Sequence, residues 1–269
     1  MKCLVACLFA SIQLGIAGPA IAASNAPTHF RPVLAGEQVQ PRADRAYVVV
    51  KCVGGNGTCG IPMFLRLPTQ EENKSFHAAK LEAWEKKGGK VPFDAFPFEL
   101  RGMENLYFVD FKKALERDSI GSTYLIETDP GTYVVYGLGN KYSMMECLCL
   151  GTVEFTARPG EVTAVGTFLY GRTSERSPYP ELAEVTNLGP TFDMDFPLVS
   201  MALRPATASD SLPATVLAMP HVVAQLRAVG PFFEPTAREI TRLAPIPGVL
   251  AYKRGAVIDV RSGQETPGR

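Results

Sequence analysis

Ser122-Thr-Tyr-Leu-Ile-Glu-Thr-Asp-Pro-Gly-Thr-Tyr-Val-Val-Tyr136 and Glu146-Cys-Leu-Cys-Leu-Gly-Thr-Val-Glu-Phe-Thr-Ala-Arg-Pro-Gly-Glu-Val162 are the two stretches that decide the fold. Each places β-branched and aromatic residues on both sides of a Pro-Gly, Pro130-Gly131 in the first and Pro159-Gly160 in the second. Proline at the second position of a turn already holds the φ that types I and II need, and glycine after it accepts the positive φ of type II. The spacing predicts two strand pairs, each folded back antiparallel at its Pro-Gly, the second running on to Leu169.

Working outward, Ala46 to Val53 is rich in valine and reads as a strand, with Ile61 to Leu67 as its expected hairpin partner. Between them, Gly55-x-Gly57-x-x-Gly60 has the spacing of a dinucleotide fingerprint. That motif needs a helix to follow, so that its N-terminus faces the pyrophosphate. Ile61-Pro62-Met63-Phe64-Leu65 reads as strand instead, so a glycine-rich hairpin loop is expected and no cofactor. Thr69 to Lys87 is the one strong helix pattern: Thr69 and Glu72 form a capping box, Phe76, Ala79 and Ala83 share a side, and Gly88-Gly89 ends it. Its apolar side is expected to cover a sheet.

Farther on, Arg204 to Ala214 reads as a linker. Pro220 to Val229 suits a short helix, and a last hairpin turns at Lys253-Arg254-Gly255. Many short strands with turn signals between them and a single good helix define a mainly β fold. The expectation is an antiparallel β-sandwich with one long and one short peripheral helix. Its divisions are a signal peptide over 1–22, a sandwich domain over 23–203 with a helix insertion at 69–87, and a linker over 204–214. A C-terminal helix and hairpin over 215–260 pack on the sandwich, and 261–269 form a disordered tail.

The signal peptide rests on Lys2, the apolar run from Cys3 to Ile16 and the small residues Ala20-Ile21-Ala22, an Ala-x-Ala cleavage pattern. It places the protein in the periplasm or outside the cell. The 27 basic and 27 acidic side chains balance, so neither nucleic acid nor an anionic membrane is an expected partner. No later run is apolar for the roughly 18 residues of a spanning helix.

Beyond the leader, four cysteines remain, Cys52, Cys59, Cys147 and Cys149. An even number in an exported chain favours disulfides, and all three connectivities stay open. In a regular strand Cys147, Cys149, Gly151, Val153, Phe155 and Ala157 share one face, marked as the core face by its apolar members. Neighbours two apart on such a strand have parallel Cβ vectors and strain a mutual bond, so these two should bond elsewhere or stay as thiols. A redox-active pair and a four-cysteine zinc site are the less favoured alternatives. The histidines, His29, His77 and His221, lack metal-ligand spacing, and no catalytic or cofactor-binding residues stand out. Asp193-Met-Asp195 reads as a turn or strand end rather than a calcium or acid–base pair.

The run Thr128-Asp-Pro-Gly-Thr-Tyr133, then Cys147-Leu-Cys-Leu-Gly-Thr-Val-Glu-Phe-Thr-Ala-Arg-Pro-Gly160 and Gly166, resembles a pattern in uncharacterised exported proteins of Gram-negative bacteria. In these, PG-x-Y and F-x-x-x-PG elements build a small transthyretin-like or carboxypeptidase-regulatory-like sandwich. The resemblance covers residues 121–170, with a fainter match around Pro247-Gly248-Val249-Leu250. It implies export and a sandwich, and it brings no catalytic residues. The function expected is therefore non-enzymatic, binding or structural in the cell envelope, with the polar loop 171–187 meeting an envelope protein or a glycan. The alternatives are a thiol–disulfide protein using Cys147 and Cys149, and a hydrolase of envelope polymers using Glu181, Glu184, Asp193 or Asp195.

Overall fold

The structure, a computed structural model, describes residues 30–54, 61–96, 105–110, 112–139, 145–172, 179–183, 199–230, 239–240 and 242–266. The chain is mainly β, and its strands form a sandwich. The first sheet contains β1 (Phe30–Val33), β2 (Ala46–Gly54), β5 (Glu116–Arg117), β6 (Gly121–Thr128), β10 (Val162–Arg172), β11 (Val199–Pro205) and β12 (His221–Val223). Its order is β1-β6-β2-β10-β11, with β5 also on β6 and β12 also on β10. The second contains β3 (Ile61–Arg66), β4 (Leu106–Phe108), β7 (Gly131–Gly139), β8 (Met145–Cys147), β9 (Thr152–Ala157), β13 (Arg227–Val229) and β14 (Glu239–Ile240). Its order is β13-β9-β7-β3-β4, with β8 on β7 and β14 on β8. A third, small sheet joins β15 (Leu250–Lys253), β16 (Ala256–Asp259) and β17 (Glu265–Thr266). Most pairs are antiparallel, but β10 runs parallel to β2, with Val162 opposite Tyr47.

Both faces of β2 are buried, which its nearly unbroken apolar sequence permits. Ala46, Val48, Val50 and Cys52 face the core between the sheets, where Phe64, Phe155 and Phe168 meet edge to face, Phe64 lying 5.8 Å from Phe155 and 6.0 Å from Phe168. Tyr47 and Val49 face outward and are covered by Ala206, Leu212, Val216 and Met219. The stretch expected as a linker therefore packs as a lid on the outer face of the first sheet, and a short helix, Ala214–Leu217, continues it.

The two Pro-Gly turns fall where the sequence puts them, but neither closes a hairpin. β6 lies in the first sheet and β7 in the second; β9 lies in the second and β10 in the first. Each Pro-Gly is thus a corner that carries the chain across the sandwich. Local turn chemistry fixes where the chain reverses and is silent on whether the strands then pair or stack face to face. All four strands have an apolar face to bury, and stacking buries more of it. At the second corner, the Glu161 amide donates to the Arg158 carbonyl at 3.4 Å and Gly160 holds φ +74°, as a type II turn requires. At the first, Gly131 is nearly extended.

The same holds for β2 and β3, which sit in opposite sheets, so they are not hairpin partners. The expected helix at 220–229 is replaced by β12 and β13, and the valines at 222, 223 and 229 suit that outcome. This segment pairs first with β10 and then with β9, crossing from one sheet to the other. Part of the expected disordered tail is ordered, since β17 pairs with β16 through Val257↔Thr266 and Ile258↔Glu265.

Candidate functional site

One end of the sandwich holds a linked network of charged side chains. Arg45 stands just before β2, with the Asp129-Pro130 corner on one side and the Pro159-Gly160 corner on the other. Its guanidinium pairs with Asp129 and, through Nε at 3.3 Å, with Glu127. Its carbonyl accepts from the Gly160 amide at 2.7 Å. Arg45 and Glu127 are both buried, and Glu127 also receives Arg31 at 2.6 Å and Arg42 at 3.7 Å. Arg31 goes on to Glu37 at 2.5 Å and Arg42 to Asp44 at 2.7 Å. The arginine beside it holds the Glu37 carboxyl below its ordinary range. A buried charge is tolerated when it is matched in this way. The PG-x-Y element belongs to the same end. Tyr133 folds back so that its hydroxyl donates to the Asp129 carbonyl at 2.6 Å and lies 2.7 Å from the Thr128 hydroxyl, a tyrosine lock across the corner. Burial pushes the Tyr133 phenol well above its ordinary range, so it stays a neutral donor.

From this end projects α1 (Gln70–Lys86), capped by Thr69. The capping box is complete: the Glu72 amide donates to the Thr69 hydroxyl at 3.2 Å, and the Thr69 amide donates to Glu72 at 2.6 Å. Glu72 also takes a two-point contact from Arg66 at the end of β3, at 2.5 and 3.1 Å, and Arg66 reaches Asn105 at 3.2 Å. The hydrogen bond from Arg66 holds the Glu72 carboxyl down to about 2. At the far end, the Trp84 indole donates to the Val91 carbonyl at 2.6 Å. Phe93 packs on α1 between His77 at 5.1 Å and Trp84 at 6.0 Å, under the Lys80 ammonium at 4.8 Å. The face of the helix that carries His77, Lys80 and Trp84 thus meets its own return segment. The helix covers no sheet, and none of its residues is buried.

The cysteines give a second correction. Cys147 and Cys149 are bonded to each other, with Cα atoms 5.1 Å apart. The bond is possible because the strand is not regular there. The four residues of β7 from Val134 to Gly137 lie opposite the eight from Cys147 to Glu154, so a turn interrupts the edge between β8 and β9. The pairing of β3 with β7 also slips by one residue between Met63 and Phe64. A slip of this kind exchanges the two faces of a strand. Val153, Phe155 and Ala157 accordingly face the main core with Leu148, whereas Cys147 and Cys149 pack on the outer side with Met63, Leu106 and Tyr136. Both cysteines are fully buried, and a reactive thiol needs exposure. Cys52 is disulfide-bonded as well, which excludes a bridge from it to either member of this pair. Cys59 lies outside the described residues.

Of the remaining candidates, His221 bonds through Nδ1 to the Met219 carbonyl at 2.9 Å, and Glu181 pairs with Arg204 at 2.6 Å. His29, Glu184, Asp193, Asp195, Gly55, Gly57 and Gly60, and most of the loop 171–187, lie outside the described residues. Among the described residues no three histidine, cysteine or acidic side chains form a group that could hold a metal ion. No helix there is long and apolar enough to cross a membrane. The Arg45–Glu127–Asp129 centre was invisible to motif reading, because Arg45 lies far from Glu127 and Asp129 in the chain. Its one signal is an arginine immediately before an apolar strand. Comparison with protein-family models, curated proteins and solved structures found no match to this chain.

Proposed function

We propose that this chain is a non-enzymatic binding protein of the bacterial cell envelope, exported by its N-terminal leader and using α1 as a contact arm for an envelope protein or a glycan. One observation carries the reading: α1 is a seventeen-residue helix of which no residue is buried. A surface helix that serves only its own fold turns an apolar stripe to the core. An isolated helix of this length is marginal in water, and here a capping box, an ion pair and an aromatic clasp hold it out from the sandwich instead. The acidic start and the lysines near the far end give it opposite charges at its two tips. The resemblance of residues 121–170 to exported sandwich proteins supports the location. The loop 171–187 is the other contact that this reading uses.

The test is crosslinking in a Gram-negative envelope, using the full chain with a photoreactive residue at Lys74 or Glu85. The arm should give a discrete adduct, and excess unlabelled chain should compete for it, whereas excess chain in which a short Gly-Ser loop replaces residues 68–96, and whose sandwich still unfolds cooperatively, should not. Equal competition by the two unlabelled chains removes α1 as the contact. Turnover of an envelope polymer by the purified chain removes the non-enzymatic reading.

A further inference from the structure

The turn pinned by the Cys147–Cys149 bond is also the seat of the C-terminal unit. Within it the Leu148 amide donates to the Tyr136 carbonyl at 2.6 Å, and the Leu148 carbonyl accepts from the Gly151 amide at 3.3 Å. The Gly151 carbonyl then accepts from the Leu243 amide at 3.0 Å and the Tyr252 hydroxyl at 3.3 Å. Tyr252 bonds in turn to the Leu243 carbonyl at 2.6 Å, beneath the Arg242 guanidinium at 4.5 Å. The approach is close: a Cβ on Gly151 would lie 2.6 Å from the Tyr252 ring, and one on Gly230 would lie 2.9 Å from the Gly151 Cα. Through this seat Leu243, Ile246, Leu250 and Val257 enter the main core.

We infer that the Cys147–Cys149 disulfide is a redox lock on the docking of the C-terminal unit, residues 242–266. In the oxidised chain the bond fixes the turn and the seat is formed. Reduction by a dithiol breaks the Sγ–Sγ bond. The two sulfurs take up two electrons and two protons, and the dithiol leaves as its own disulfide. The turn then gains the freedom to leave the conformation that presents the Gly151 backbone to Tyr252 and Leu243. The unit undocks, while β2, β6 and β10 keep their pairing elsewhere in the fold. Because both sulfurs are buried, the dithiol reaches them only as the turn opens, so reduction and undocking are one event. This inference is independent of the binding role proposed for α1.

The test is hydrogen exchange on the full chain, oxidised, treated with a dithiol, and as the double variant Cys147→Ser/Cys149→Ser, which leaves the Cys52 disulfide in place. Amides over 243–259 should exchange at least about tenfold faster in the double variant and in the reduced chain, with 46–54 and 162–169 changed by less than about threefold in the double variant. The oxidised variant Tyr252→Phe, which loses the hydroxyl tether but keeps both cysteines, should raise exchange over the same C-terminal amides by a smaller factor. Unchanged protection at 243–259 in the double variant overturns the lock. Loss of protection spread equally over 46–54 also overturns it, since the disulfide is then a staple of the whole fold.

Discussion

The Arg45 carbonyl accepts a hydrogen bond from the Gly160 amide at 2.7 Å, while the guanidinium of the same arginine pairs with Asp129. One residue thereby ties together the two corners at which the chain crosses between sheets. Replacing it with alanine leaves the backbone bond and removes the ionic one, so Glu127 stays buried with Arg31 as its remaining close partner. Arg45→Ala should cost about 2 to 3 kcal/mol in urea unfolding, and Arg45→Lys about half of that. A loss below about 0.5 kcal/mol would remove the network from the sources of stability.

Gly160 isolates backbone strain, whereas Gly151, at φ +155°, adds a steric conflict to it. Gly160 has φ +74° and open space where a Cβ would stand, so Gly160→Ala should cost about 1 kcal/mol, all of it conformational. At Gly151 a Cβ would strike Tyr252, and Gly151→Ala should cost about 2 to 3 kcal/mol. Thermal unfolding of the two variants side by side reads the difference, and equal losses would contradict the close packing of Tyr252.

Glu72 links α1 to β3, and its folded carboxyl is held down to about 2 by Arg66. A depressed carboxyl contributes stability in full above its unfolded value near 4.5, and that contribution is lost as pH falls through the folded value. Helix ellipticity at 222 nm should therefore decline between about pH 4.5 and 2. Because this carboxylate is partly exposed, the effect is modest, about 1 kcal/mol after solvent screening. Glu72→Gln should show low helicity at neutral pH and lack the acid step.

Asp259 ends β16 inside the fold. Burial alone would raise its carboxyl, but amides from Ser262 at 2.9 Å, Arg261 at 3.0 Å and Ala228 at 3.2 Å outweigh that and hold it below its ordinary value. The sign is again that of a depressed acid: full stabilisation above about pH 4, lost on further acidification. Asp259→Asn should cost about 1 to 2 kcal/mol at neutral pH and flatten the acid limb of the stability curve. A variant with the native acid limb would show that the carboxylate is not the titrating group.

The features legible in the sequence are those fixed by neighbours along the chain. Thr69 and Glu72 announce the start of α1, Pro159-Gly160 its type II turn, and Lys253-Arg254-Gly255 the turn between β15 and β16, where Arg254 and Gly255 both take positive φ. What pairs with what was not legible. Ser122 to Tyr136 looks like a hairpin because the same alternation serves a strand whose partner lies beside it and one whose partner lies across a core. The face taken by Cys147 and Cys149 turns on a one-residue slip in the opposite strand, set where β7 meets β3. The exposed state of α1 was equally hidden, since Phe76, Ala79 and Ala83 mark an apolar side without saying that Phe93 will pack beside His77 and Trp84 instead.

The parallel pairing of β10 with β2 has a consequence for the order of events during synthesis. Tyr47 must find Val162, and everything between them, both corners included, is made first. Until then β2 has only β6 beside it, and its buried valines lack the neighbour that completes their side of the sheet. Contacts this far apart along the chain form slowly, and a strand held in waiting is open to wrong partners. The vulnerable interval in the life of this protein is thus the time between the emergence of Gly54 and that of Arg172, and a chain stalled or cut within it carries an incomplete apolar sheet.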